Sequence, residues 1–155
     1  MRTSAPPTDL AARAVRMQVD GASRGNPGPA GAGVVFLDRE GNVVGRAGEY
    51  LGEATNNVAE YRALLLGLSI AERYGLRPAE IRADSELLVR QLNGLYKVTK
   101  PHLRKLHAEA KALLARLGDP PVRHTLRAGN AEADAMANRA IDERLAGLVE
   151  LEWKG

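Results

Sequence analysis

The spacing of apolar residues changes period near Thr55, and that change confines the chain to few folds. Before it, residues 15–20, 31–37 and 43–50 read as three strands. They are separated by the turn-forming run SRGNPGPAG and by Glu40-Gly41-Asn42, which predicts an antiparallel meander. After it, Val58, Tyr61, Leu64, Leu65, Leu68 and Ala71 recur every three or four positions, predicting a helix over 56–74 that Gly75 and Pro78 stop. A strand is expected over 80–84, helices over 85–92 and 101–117, a fifth strand over 122–127, and a last helix over 130–145 capped by Asn130. The order βββ-α-β-α-α-β-α implies an α/β fold with a mixed five-stranded sheet, three antiparallel strands followed by two parallel ones, flanked by helices. Residues 1–14 read as a flexible leader, 15–145 as one domain, and 146–155 as a tail too short to classify.

Composition narrows the chemistry. The sequence has no cysteine, which removes disulfides, thiolate nucleophiles and zinc-thiolate sites together. His102, His107 and His124 show no paired metal-binding spacing, so carboxylates remain as ligands for a hard cation such as Mg²⁺. No run of about 18 apolar residues is present and the opening lacks the apolar centre of a secretory signal, so a membrane role is not expected and a cytoplasmic location is. The net charge is +3, but residues 97–127 hold eight Lys or Arg against two acids, a cluster suited to polyanions or simply to a solvated helix.

Four acids stand where the predicted elements could bring them together: Asp20 and Asp84 at strand ends, Glu60 in the first helix and Asp134 in the last. Singly, Asp20 reads as a turn starter, Asp84 as a helix cap and Asp134 as a first-turn acid favoured by the helix dipole. Glu60 resists so plain a reading. It shares a helical stripe with Leu64, Gly67 and Ala71, which turns its carboxylate toward the sheet, and a buried carboxylate needs a cation or an arginine such as Arg62. If the first and fourth strands are parallel neighbours, Asp20 and Asp84 lie at one carboxyl end, where open α/β sheets hold ligands. Four converging acids repel one another unless cations neutralise them, and paired Mg²⁺ ions suit phosphodiester displacement. No GxSxG, Walker A or strand-borne GxGxxG motif competes.

The segments DGASRGNPGPAGAG (20–33), TNNVAEYRAL (55–64), ADSELLVRQL (83–92) and RAGNAEADAMAN (127–138), each with its acid, resemble ribonuclease HI in order and spacing. The resemblance spans nearly all of 15–145. It implies a ribonuclease H-like fold and endonucleolytic hydrolysis of the RNA strand of RNA–DNA hybrids, leaving 5′-phosphate and 3′-hydroxyl ends. It also implies two Mg²⁺ ions, or Mn²⁺ in their place, on Asp20, Glu60, Asp84 and Asp134. Gly21, Ser23, Gly25, Asn26, Asn56 and Asn57 fall in segments matching those that contact the hybrid's minor groove, and Thr55 and Ser85 in positions that hold DNA phosphate. A glycine-rich backbone and small amides suit that groove, where the 2′-hydroxyl distinguishes RNA from DNA.

The sequence departs from the family twice. Only Ala128-Gly129 separates Arg127 from Asn130, too little for the histidine-bearing loop of many relatives, so His124 is expected to be a surface or packing residue and Arg127 to contact phosphate. The basic, tryptophan-rich protrusion of some relatives is also missing; Lys97, Lys100, Arg104 and Lys105 offer a weaker, salt-sensitive grip. A monomeric hybrid nuclease is therefore expected, with double-stranded RNA open as an accessory substrate. The rivals are a non-catalytic hybrid-binding module and a nuclease for another duplex.

Overall fold

The computed structural model describes residues 13–151. Among these residues six strands form one sheet: β1 (Arg16–Ser23), β2 (Gly28–Leu37), β3 (Val43–Ala54), β4 (Glu80–Ala83), β5 (Val122–His124) and β6 (Leu148–Leu151). Their order is β5-β4-β1-β2-β3-β6. The β1–β2 and β2–β3 pairs are antiparallel, whereas β1–β4 and β4–β5 are parallel, as the alternation of strands and helices requires. Among the described residues four helices accompany the sheet: α1 (Asn56–Tyr74), α2 (Glu86–Leu92), α3 (Pro101–Arg116) and α4 (Ala131–Asp142).

Helix α1 lies on β1 and β2 with α3 stacked on α1, and α4 covers the opposite face over β1, β2 and β3. The main core forms on the α1 side from Met17, Val19, Tyr61, Leu64, Leu68 and Ile81, all fully or almost fully buried. Thr55 starts α1 by accepting a hydrogen bond from the Val58 amide, and Gly75 ends it in the left-handed conformation with φ 67°. Gly67 lets α1 settle on the sheet: a Cβ there would stand 2.6 Å from Met17 Sδ.

On the other face the approach is closer still. A Cβ on Gly33 would lie 2.3 Å from the Ala133 carbonyl oxygen and 2.4 Å from the Ala137 amide nitrogen of α4. Backbone cannot yield as a flexible side chain does, so Gly33→Ala is expected to cost about 3 kcal/mol, read as a lower urea midpoint at unchanged m-value.

The structure corrects several sequence expectations. The sheet has six strands rather than five, because Leu148–Leu151, within the span read as tail, pairs antiparallel with β3 at Gly45–Gly48. β5 stops at His124, and Arg127–Asn130 forms a 3-10 turn before α4, which ends at Asp142 rather than near Leu145. Asn130 does not cap α4 through its side chain; its Nδ2 donates to the Val19 carbonyl at 2.9 Å. The leader expected over 1–14 falls outside the described residues except for Arg13 and Ala14, and Ala14 is buried in the core; Trp153 also lies outside.

Candidate active site

The parallel pairing of β1 with β4 places Asp20 and Asp84 at one end of the sheet, and α1 brings Glu60 in from the side. One carboxylate oxygen from each of Asp20, Glu60 and Asp84 falls within 4.8 Å of the others. Asp20 and Glu60 are buried, at 4% and 8% exposure, while Asp84 is half-buried. Asp134, half-buried in the first turn of α4, hydrogen-bonds Asp20 and lines the same cavity of about 380 Å³.

Gly21 makes this convergence possible. A Cβ on it would lie 2.2 Å from the Ala59 carbonyl carbon, so only glycine lets β1 press against the first turns of α1. Its amide then donates to Glu60 Oε1 at 3.0 Å. Glu60 Oε2 is buried with no hydrogen-bond partner. The alternative of a Glu60–Arg62 ion pair does not form, since Arg62 faces Glu49 at 3.8 Å.

Crowding among these acids shows in their proton affinities. Burial above all, then the charge of Glu60 and the hydrogen bond with Asp134, push Asp20 up to about 10. Burial raises Glu60 to about 7, opposed by the Gly21 amide and by the positive charge of Arg127. A site that forces protons onto carboxylates at neutral pH, leaves one buried oxygen unpartnered and offers only oxygen donors fits a hard divalent cation. Bound there, such a cation would be held by Asp20, Glu60 and Asp84, with Asp134 beside them.

The structure gathers most of the sequence candidates and separates a few. Gly21, Ser23, Asn56, Asn57, Ser85 and Arg127 line the cavity with the four acids; Gly25, Asn26 and Thr55 lie outside its lining. Asn26 acts on the rim from there, its Oδ1 accepting the Asn56 amide at 3.1 Å and tying the β1–β2 loop to the start of α1. Ser85 caps α2 by accepting the Leu88 amide at 3.2 Å, as Thr55 caps α1, so each hydroxyl keeps its proton for another acceptor. His124 is exposed and outside the lining.

Ala22, within the loop from Gly21 to Asn26 that the resemblance sets against the hybrid, also lines the cavity. Two contacts escaped sequence reasoning. Asn138 donates to the Asp134 carbonyl at 3.0 Å and lies 3.4 Å from its Oδ1, one helical turn away, a spacing that could have flagged it. Buried Asn130 ties the start of α4 to β1 one residue before Asp20, and no local pattern announces so distant a contact.

A mixed sheet with acids converging at the end of two parallel strands, flanked by α1 and α4, defines a class, and residues 18–140 match the reverse transcriptase-like family model. The chain is 43% identical over 129 residues to "Ribonuclease HI" of Halobacterium salinarum, an alignment covering 83% of this chain. The crystal structure of RNase H1 from that archaeon superposes with a TM-score of 0.79 at 43% identity, covering 83% of this chain and 98% of that one. LC11-RNase H1, solved in complex with RNA/DNA hybrid, gives 0.78 at 41% identity over 83% of this chain and 97% of that one. The chain belongs to the ribonuclease HI family. It spans 65% of the length of the curated haloarchaeal protein and 35% of mycobacterial relatives that match at the same identity.

Among the described residues no helix is long and apolar enough to cross a membrane.

Proposed function

We propose that this chain is an endoribonuclease that hydrolyses the RNA strand of RNA–DNA hybrids in the presence of Mg²⁺, leaving 5′-phosphate and 3′-hydroxyl ends. The observation that carries the reading is the convergence of Asp20, Glu60 and Asp84, from three separate elements, to within 4.8 Å. A non-catalytic binding module would gain nothing from acids facing the phosphates it must attract.

Bound divalent cations supply charge neutralisation at the reacting phosphate and make water a stronger nucleophile near neutral pH. The chain does the rest. Asp20 and Glu60, largely stripped of water, would hold such a cation as carboxylates and give up their protons on doing so. The Gly21 amide fixes Glu60 Oε1 and leaves Oε2 turned inward. Arg127, exposed on the 3-10 turn at the cavity rim, presents a planar fork to phosphate. Ser23 donates to the Ala54 carbonyl at 2.7 Å, bracing the loop that, with Asn56 and Asn57, approaches the wide minor groove where the 2′-hydroxyl is read. On the resemblance alone we also place the enzyme in the cytoplasm as a monomer.

The test is digestion of a hybrid labelled in turn on each strand, beside the matching RNA and DNA duplexes. RNA-strand fragments ending in 3′-hydroxyl, formed with Mg²⁺ and not with EDTA, are expected. Intact RNA across Mg²⁺, Mn²⁺ and pH with folded protein refutes the reading, and preferential cleavage of either homoduplex reassigns the substrate.

A further inference from the structure

The sheet face that carries Asp84 does not end at the acid cavity. Side chains two residues apart on a strand share a face, so Asp84, Arg82 and Glu80 follow one another down β4. The register sets Arg16 of β1 beside Glu80, and Arg123 of β5 beside Arg82. Helix α4 covers this face over β1, β2 and β3, and the side chains beyond it stay open: Arg82 is 34% exposed and Arg123 63%.

Three guanidinium groups gather there on one carboxylate. Glu80 Oε1 accepts from Arg16 Nε at 2.9 Å and faces Arg82 Nε at 2.5 Å, and its Oε2 accepts from Arg123 Nη1 at 3.1 Å. Glu80 is only 14% exposed and cannot balance the charge, which stays at two positive units for the group. Arginine carries five N–H donors, and these pairings spend one on each residue, so the outer edges of all three forks remain available. Mutual repulsion among cations held this close would be relieved by a second anion offering paired oxygens.

Resting on the hydrolase reading above, we infer that Arg16, Arg82 and Arg123 form a phosphate-binding track for a single-stranded flank of the nucleic-acid substrate. At about 3.3 Å per residue, Arg82 stands about 7 Å and Glu80 about 13 Å down the strand from Asp84. A strand that leaves the cavity therefore reaches the track within a few nucleotides. A stiff duplex resting on the rim does not turn down the sheet face, whereas a single strand does. The track shares its face with Asp84, which favours nucleic acid over an acidic protein segment.

The experiment is fluorescence anisotropy in EDTA, comparing a blunt hybrid with the same hybrid bearing a single-stranded RNA tail at either end. A tail at one end is expected to tighten binding about tenfold at low salt. Arg82→Gln with Arg123→Gln should abolish that gain, and lower the slope of log K against log salt for the tailed hybrid by about 1.4. Arg123→Gln alone, at the most exposed position, should remove part of it, and Glu80→Gln should increase it, with thermal melts verifying the fold. Equal binding of tailed and blunt hybrids, or a tail advantage that survives the double variant, overturns the inference. So does a glutamate-rich peptide that displaces the tail at lower concentration than free RNA does, which would mark a protein-docking face. Hydrolysis of blunt hybrid by the double variant should stay within about twofold of the parent, since its charge changes lie outside the cavity. Absent hydrolysis in the parent itself would sink the enzymatic reading while leaving the tail measurement standing.

Discussion

Asp20→Asn and Asp84→Asn are each expected to lower kcat on RNA–DNA hybrid at least about a thousandfold, roughly 4 kcal/mol of barrier. Both substitutions keep the volume and remove a charge that only a cation compensates. Asp20 is the more telling, because it touches both Glu60 and Asp134 electrostatically. Its loss should weaken Mn²⁺ binding in calorimetry as strongly as it weakens turnover. Hybrid affinity in EDTA should hold, since metal-free Asp20 keeps its proton near neutral pH and is as uncharged as the asparagine that replaces it. An asparagine variant with near-parental kcat at saturating Mg²⁺ would remove that acid from the catalytic set.

The second large effect concerns stability without metal. In the folded chain Asp20 holds its proton up to about 10, against an ordinary 3.8, and Glu60 up to about 7, against 4.5. Between the paired values the native state binds protons that the unfolded chain releases. Any stability tied to those protons is fully present below the unfolded values and is lost as pH rises through the window. Metal-free protein should therefore melt at progressively lower temperature from pH 5 to pH 9, with a slope of up to about 1.4 kcal/mol per pH unit for each group. Asp20→Asn should flatten the slope and raise the melting temperature in EDTA at pH 8, because asparagine has no proton to take up on folding, as Asp20 must at that pH. Divalent cation at a hundred times its Kd should restore about 2.7 kcal/mol to the parent and little to the variant. Because binding displaces protons, the parent's calorimetric enthalpy should also depend on the buffer. A flat melting profile in EDTA from pH 5 to pH 9 would show that the acids do not crowd one another.

Much of this was written in the local sequence. The period of α1 and its stop at Gly75 are visible because one helix face is buried along its whole length and the terminator needs a positive φ. The four acids could be picked out because Asp84 follows β4, Glu60 and Asp134 stand in the early turns of α1 and α4, and Asp20 follows the last residue of β1 that pairs with β4. What stayed hidden depends on distant partners. Gly28–Ala30 reads as loop, yet extends β2 by pairing with Gly52–Ala54 of β3, and Gly28 answers the folded-back β1–β2 loop, where a Cβ would stand 2.1 Å from the Arg24 carbonyl oxygen. Leu148–Leu151 is too short to announce a strand, and what it pairs with is the open edge of β3, which exists only once the sheet has formed. Asn130 and Arg127 were misplaced for one reason: a 3-10 turn has no period to read over four residues. The arginine track is equally silent in sequence, since Arg16, Glu80 and Arg123 meet only through strand register.

The central claim is that acids remote in sequence form one cation trap on which hydrolysis depends. Anomalous diffraction from crystals grown with Mn²⁺ and an uncleavable hybrid tests it most directly. The account predicts one strong peak among the carboxylates of Asp20, Glu60 and Asp84, a second toward Asp134, and loss of the first in Asp20→Asn. Full Mn²⁺ occupancy at other residues, with this pocket empty beside bound hybrid, would contradict it.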